Sequence, residues 1–480
     1  MEKGESQGDV HEPCRALITQ LQEQLRKAQR EIEELKARIN KNSRNSSKPP
    51  SSNPPWISNK PPKAPGQSPP GGQPGHPGHT RTLLPPDQVS QRVELKPKEC
   101  RKCGRHLRGT DSSPRRHQVM DLPPISPETI EYLLHRLICP DCGTPSSAKL
   151  PPGVPRGNFG PGVEALAAYL SGQAHLSKRQ VQEVMQDCHG IPMSLGSIVA
   201  AQQSVSQALE EPVAKARVYV QEQTIIHADE TSWKEGSDEP DGTGRAKAWL
   251  WVAATRWVSV FLIHAHRGAD AARALLGKFS QYLVTDRWNG YHEWPIRKRQ
   301  ICWAHLVRDF TAFSEWKGGE RLGKALLQES KKLFVLWHRV RDGTLHRGTF
   351  RREVGPIRRA VEQLLNQATR SENRELARSC GRMLKVFPAF WTFVRIPGME
   401  PTNNAAERAL RPGVLYRKIS FGTQSSEGSR FVERMLTVVS TLRLQGRNVL
   451  DYLRRACKSA NLGKEVPSLM PTLRLVRAVS

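Results

Sequence analysis

Two carboxylates close an apolar, β-branched run, and that arrangement constrains this chain more than any other stretch. Thr224-Ile-Ile-His-Ala228 reads as a buried strand, with Asp229 and Glu230 directly after it. Side chains alternate along a strand, so the two acids should face opposite sides of a sheet. Only one can serve a shared site, and Asp229 is the candidate. Tyr282-Leu-Val-Thr285 repeats the pattern and ends at Asp286. A third acid, Glu407, stands in Pro401-Thr-Asn-Asn-Ala-Ala-Glu-Arg-Ala-Leu-Arg-Pro412. Carboxylates at strand ends and a helix start can converge and bind Mg²⁺, the arrangement phosphoryl-transfer chemistry needs.

The segments around these acids supply a sheet. Ala248–Ala254 and Trp257–His264 read as two strands joined by a short turn, and Ala269–Leu276 as a short helix. Arg299-Gln-Ile-Cys-Trp-Ala-His305 reads as one more strand, leading into Leu306–Phe310. Three strands, a helix and further strands make a mixed α/β sheet with acids ending its first and fourth strands. That order predicts a ribonuclease-H-like catalytic core. From about Thr311 to Val394 the pattern turns helical and basic, and Arg351, Arg352, Arg358 and Arg359 are candidate phosphate contacts, which position a duplex without reading its sequence. Glu407 has a competing explanation. With Asn404 as N-cap it would be the third helical residue, where a glutamate commonly closes a capping box. Two upstream aspartates favour the ligand role, and Arg408 and Arg411 on or near the same turn are placed to hold phosphates.

Charge narrows the partner. Lys and Arg number 73 against 46 Asp and Glu, a net charge of +27, which points to an extended polyanion and first to nucleic acid. No apolar run approaches the roughly 18 residues of a membrane span, and Met1–Val10 is too polar for a secretory signal. Four of nine cysteines form the pairs Cys100-Arg-Lys-Cys103 and Cys139-Pro-Asp-Cys142, a pattern of metal binding in a reducing cytoplasm rather than of disulfides. Each loop brings two thiolates to one ion, and two such knuckles complete a tetrahedral, structural Zn²⁺ site. Gly104 and Gly143 follow the pairs where a knuckle turns tightly. Glu128–Ile138 should supply strands of a small sheet between the pairs.

The remaining segments are accessory. Cys14, Ile18, Leu21, Leu25, Ala28, Ile32, Leu35 and Ile39 alternate steps of four and three, the seam of a short coiled coil that needs a partner helix. Asn42–His79 is rich in Pro and Gly and reads as a linker; His76 and His79 fall in it without forming a metal pattern. Helices follow, including a capping-box start at Ser177 and a turn at Cys188-His-Gly-Ile-Pro192, so a helix-turn-helix and ordinary helix packing are both open.

Nearly the whole chain resembles the insertion-sequence-66 family of bacterial transposases. The resemblance is carried by the leader heptads, Asn45–Ser52, the paired cysteines, Asp229-Glu-Thr231, Thr285-Asp-Arg287 with Gly290-Tyr291, Cys302-Trp-Ala-His305, Asn403-Asn-Ala-Ala-Glu407 with Arg411-Pro412, and Arg417-Lys418 through Phe421-Gly422. It implies a DDE transposase in which Asp229, Asp286 and Glu407 bind two Mg²⁺. The implied reactions are cleavage and strand transfer of double-stranded DNA, both element ends and target, in the bacterial cytoplasm at the nucleoid. Homo-oligomerisation through the coiled coil and accessory transposition proteins are the expected protein partners. The implied organisation is a multidomain α/β chain: coiled coil 14–41, linker 42–82, zinc-binding domain 83–151, helical and candidate DNA-binding domain 158–215, ribonuclease-H-like core 216–310, basic helical insertion 311–398, second core part 399–455 and tail 456–480. A catalytically silent DNA-binding repressor and a nuclease without strand transfer are the rival readings. His227 and His305 read as packed histidines, and Cys302 and Trp303 as core.

Overall fold

Short runs of β-branched and aromatic residues, bounded by turns, assemble the sheet that carries the first two acids. The computed structural model describes residues 11–39, 41–46, 82–123, 125–155, 157–236, 245–277 and 281–472. Most of the Pro/Gly-rich stretch, with His76 and His79, lies outside them. In chain order the elements are α1 (His11–Ile39), β1 (Arg136–Ile138), β2 (Pro145–Ser147), α2 (Pro161–Gly172), α3 (Lys178–His189), α4 (Leu195–Ala208), α5 (Glu210–Gln221), β3 (Ile225–Gly236), β4 (Arg245–Ala254), β5 (Ser259–His264), α6 (Ala269–Leu276), β6 (Tyr282–Thr285), β7 (Arg299–Ile301), α7 (Trp303–Glu315), α8 (Glu320–Arg341), α9 (Arg347–Ala368), α10 (Arg374–Lys385), α11 (Thr392–Arg395), α12 (Asn404–Ser420), α13 (Ser426–Leu444) and α14 (Val449–Asn461). Two compact units divide the chain, one of Lys60–Glu128 and one of Met1–Asn59 with Thr129–Ser480.

The smaller unit is built on a tight turn. The Cys100 N–H donates to the Arg105 carbonyl at 2.9 Å, the Gly104 N–H to the Cys100 carbonyl at 3.0 Å, and Glu99 bridges His106. In the larger unit the Cys139 turn repeats this pattern, with Cys139 N–H to the Thr144 carbonyl and Gly143 N–H to the Cys139 carbonyl, both at 3.0 Å. Gly104 and Gly143 both hold φ of +70°, a backbone conformation that costs a residue with a Cβ. Only the last three residues of Glu128–Ile138 form a strand, β1, which pairs antiparallel with β2. Of the rest of that run, the His135 carbonyl still accepts the Ala148 N–H at 2.9 Å, while Tyr132, Leu133 and Leu134 are exposed.

In the larger unit the sheet order is β5-β4-β3-β6-β7. β5, β4 and β3 form an antiparallel meander, and β6 and β7 add in parallel. β3 does not stop at the acids; it runs seven residues past Asp229, because Thr231–Gly236 pairs residue by residue with Arg245–Leu250. The expected strand from Arg299 to His305 ends at Ile301, and Trp303 onward is helix α7. Ser177 closes the expected capping box with Gln180, and α3 ends on Gly190 in the left-handed conformation. α2 and α4 are not a detached helical body, since Ala165, Ala168, Val205 and Leu209 enter the core of the sheet together with residues of α5, α6, α12, α13 and α14. Helices α7 to α11 build a second core on Val284 and Ile301 of β6 and β7. Past residue 456, where a tail was expected, α14 continues to Asn461 and buries Ala456 and Cys457, while Leu469 packs into the main core.

The outer edge of β5 is covered by a helix. The N–H groups of Ser259, Phe261 and Ile263 donate to the Thr441 and Thr437 hydroxyls and to Glu433, all on α13. A helix advances about 6 Å in four residues and a strand about 6.6 Å in two, so the two ladders stay in step over this length. Edge N–H groups that would otherwise recruit another strand are thereby satisfied. On the other face, α12 lies on β3 and β4, and Gly413 permits the approach: a Cβ there would meet Leu250 Cδ2 at 2.3 Å.

Candidate active site

Asp229 lies inside β3, flanked by buried Ala228 and Glu230. β3 and β6 run parallel with His227 opposite Val284. Two residues on from each stand Asp229, still within β3, and Asp286, just past the end of β6, whose charge acts on the Asp229 carboxyl. The Trp288 N–H donates to Asp286 Oδ1 at 2.8 Å and fixes that carboxylate just beyond the end of β6.

Glu407 reaches the same place from α12, and a single asparagine sets its approach. The N-cap of α12 is Asn403 rather than Asn404, so Glu407 is the fourth helical residue, and no side chain caps the helix. The capping-box explanation of Glu407 therefore fails. Asn403 is fully buried and turned into the sheet. Its Nδ2 donates to the Ala228 carbonyl at 2.8 Å, its Oδ1 faces His227 Nδ1 at 3.3 Å, and its backbone N–H points at Cys302 Sγ at 3.1 Å. The Trp303 N–H, donating to the Pro401 carbonyl at 3.0 Å, ties the same loop to the start of α7. Asn403 thus joins three elements within one residue of Asp229 and one turn of Glu407.

The electrostatics follow from this crowding. Burial pushes the Asp229 carboxyl well above the usual carboxylate range, and the charges of Glu230, Asp286 and Glu407 push the same way. Only the backbone N–H of Glu230, at 3.0 Å, works against them. Glu230 is itself satisfied elsewhere. Its Oε1 pairs with Arg267 Nη2 at 2.9 Å and its Oε2 accepts the Tyr291 hydroxyl at 2.6 Å. Arg267 lies over the ring of Trp288, 3.9 Å from its centroid. Glu230 is therefore turned away from Asp229, as strand alternation requires, but it is a paired and buried acid rather than a free surface group. His227 is held neutral, its pKa pushed down to about 4 by burial.

These residues fit a hard divalent cation. Three carboxylates come from β3, the end of β6 and α12, Glu407 Oε1 is buried without a hydrogen-bond partner, and Asp229 is raised first by burial and then by the charges of Glu230, Asp286 and Glu407. Cys302, His305 and Glu407 also bring ligand atoms within 4.8 Å of one another, the one such group of three among the described residues. Cys302 does not suit that role. It is fully buried, its thiol is pushed up to about 12 chiefly by burial, and its sulfur faces the Asn403 N–H. His305, one turn into α7, stands 3.6 Å from Glu407 Oε1.

A model of the IS66 transposase family matches residues 156–430, more than half of the chain and all three acids. The chain belongs to the IS66 transposase family. Residues 5–82 match a family of unknown function, DUF6444, across α1 and the Pro/Gly-rich stretch. Two Sinorhizobium fredii proteins are similar to it, both described as uncharacterized. Protein y4hP is 25% identical over 66% of this chain and 62% of its own length, and y4qI is 26% identical over 52% of this chain and 51% of its own length. The chain thus spans between half and two thirds of these relatives.

In this IS66-family chain the candidate DNA-contact arginines divide. Arg408 and Arg411 are exposed on α12 beside Glu407. Arg352 and Arg359 are exposed on α9, seven residues apart and hence on one helix face. Arg351, by contrast, is engaged with the Val394 and Arg395 carbonyls, and Arg358 lies 5.8 Å from the Phe387 ring centroid. Each cysteine pair closes on itself: hydrogen bonds with Cys103 and its backbone lower the Cys100 thiol, and Thr144 and Cys139 lower that of Cys142. Among the described residues no helix is long and apolar enough to cross a membrane.

Proposed function

We propose that the chain is a DDE transposase with a ribonuclease-H-like core, cutting double-stranded DNA at element ends and joining the ends to a target. The observation that carries this reading is that Asp286 and Glu407, from two other elements, act with their charge on the buried Asp229 carboxyl, while a Glu407 carboxylate oxygen lies buried without a partner. A meander of three antiparallel strands extended by two parallel ones, with an acid on the first and just after the fourth, supports the fold assignment.

Asp229, Asp286 and Glu407 would hold two Mg²⁺, which when bound activate a water or DNA 3′-hydroxyl and stabilise the leaving oxygen. The protein's part is positioning. In this reading the parallel pairing of β3 and β6 brings the two aspartates to one end of the sheet, and Asn403, bonded to the Ala228 carbonyl, holds the start of the helix that carries Glu407. Arg408 and Arg411 present charge for phosphates beside that helix start. The +27 net charge supplies the sequence-independent, salt-dependent part of DNA affinity. From the sequence pattern of the donor set, the four paired cysteines are read as ligands of one structural Zn²⁺. Assembly through α1, accessory proteins, and a cytoplasmic, nucleoid-associated setting complete the reading.

A repressor derived from such an enzyme would not need the three carboxylates, and a nuclease would cut without joining. A strand-transfer assay with the element's flanking DNA and Mg²⁺ separates all three. Joined product is expected, cleavage without joining would mean a nuclease, and binding without cleavage would mean a repressor.

A further inference from the structure

Cys302 starts α7 with its side chain making no cap, and the first turn of that helix presents His305 to Glu407. His305 Nδ1 lies 3.6 Å from Glu407 Oε1. Both atoms are buried and neither has another hydrogen-bond partner. Such a pair costs free energy until each satisfies the other, and no water reaches either atom to do it instead. The opposite ring nitrogen decides which way the proton lies. Arg308, one turn on along α7, places Nη1 3.3 Å from His305 Nε2. A guanidinium only donates, so Nε2 must accept, and the proton of the neutral ring must sit on Nδ1, facing Glu407.

We infer that Arg308 and His305 form a relay that orients the Glu407 carboxylate, with Nδ1–H held on Oε1 so that Oε2 alone is offered to a cation shared with Asp229 and Asp286. His305 is a positioning residue: it acts on the cation through Glu407. The inference rests on the reading of the three acids as a cation site. It explains why a histidine that sequence reasoning assigns to packing stands with an unsatisfied nitrogen against an acid. Partners that fix a metal-binding carboxylate in this way govern affinity for the ion as well as reaction rate.

The two amide isosteres of histidine separate the roles of its nitrogens. Asparagine places its Nδ2 near the position of Nδ1 and can donate to Glu407, whereas glutamine places its amide near Nε2 and leaves Oε1 bare. The test is Mn²⁺ binding to the full chain, followed by loss of the free-ion paramagnetic resonance signal, on the original protein, His305→Asn, His305→Gln, Arg308→Gln and Asp229→Asn. His305→Gln should weaken binding about tenfold or more, His305→Asn should recover most of that loss, and Arg308→Gln should weaken it to a smaller extent. Thermal unfolding of each variant confirms that it is folded, and Arg308→Gln carries the test should His305→Gln fail to fold. Unchanged binding in His305→Gln, or equal loss in His305→Asn and His305→Gln, would overturn the relay. If the original protein binds no more Mn²⁺ than Asp229→Asn does, the three-acid site itself is wrong, a separate failure.

Discussion

Asn403 donates its side-chain amide to the carbonyl of Ala228 at 2.8 Å, one residue before Asp229, so the helix bearing Glu407 is latched to the strand bearing Asp229. Removing that latch leaves a buried carbonyl without a donor. Asn403→Ala should therefore lower stability by about 1–3 kcal/mol and weaken cation binding as Glu407 loses its register. Thermal unfolding and a Mn²⁺ titration of one sample measure both. An unchanged melting temperature would mean that the latch contributes nothing.

Glu433 offers a pH-dependent consequence of the helix that covers the β5 edge. Burial raises its carboxyl to about 7, against the Ile263 N–H and nearby arginines that favour its charge. Its folded pKa thus lies above the ordinary value of 4.5, the folded state holds the proton more tightly, and stability from this group is complete below the unfolded value and lost as pH rises through about 7. Glu433→Gln keeps an acceptor for Ile263 and removes the titration. Its stability advantage over the original protein should grow from about pH 4.5 to about pH 7 and level off above, reaching on the order of 3 kcal/mol. A constant difference across that range would contradict the assignment.

The sheet was largely legible because its strands are short, apolar and bounded by turns, and Asp286 falls where Tyr282–Thr285 predicts. What escaped depends on contacts distant in sequence. The extension of β3 through Lys234 is polar enough to pass for a loop, and only its pairing with Arg245–Leu250 makes it strand. Cys302 carries no capping signal, so the start of α7, and with it the approach of His305 to Glu407, was hidden in a run that reads as strand. From the sequence Asn404 reads as the cap; burial of Asn403 against Ala228 moves the helix boundary one residue earlier. Alternation did place Glu230 away from Asp229, but its partners Arg267 and Tyr291 lie 37 and 61 residues on, beyond the reach of local pattern.

The heptad seam gives a test of assembly. α1 is a 29-residue helix whose Leu17, Ile18, Leu21, Leu25, Ile32, Leu35 and Ile39 are 50% to 73% exposed in the single chain. A helix so exposed is marginal alone and gains its stability from a partner helix. Leu25→Lys with Ile32→Lys should lower the sedimentation coefficient of the full chain to that of a monomer. An original protein that already sediments as a monomer at high concentration would exclude the coiled coil.

Zinc is tested by counting it. The full chain should purify with about one zinc, held by Cys100, Cys103, Cys139 and Cys142. Replacing Cys100 and Cys139 together by serine takes one ligand from each turn and should abolish it. Zinc content unaffected by the double substitution would show that the turns close without metal.

The central claim is that Glu407 completes a cation site with Asp229 and Asp286, and one sample tests it most directly. Glu407→Gln removes the charge while nearly conserving volume, and because Glu407 caps nothing, the helix start should lose about 1 kcal/mol or less. Thermal stability, DNA binding and Mg²⁺-dependent strand transfer are measured on that variant beside Asp229→Asn and Asp286→Asn. Stability and DNA binding should survive in all three while strand transfer falls by orders of magnitude. A folded, DNA-binding Glu407→Gln protein that joins ends as fast as the original would show that Glu407 is not the third ligand.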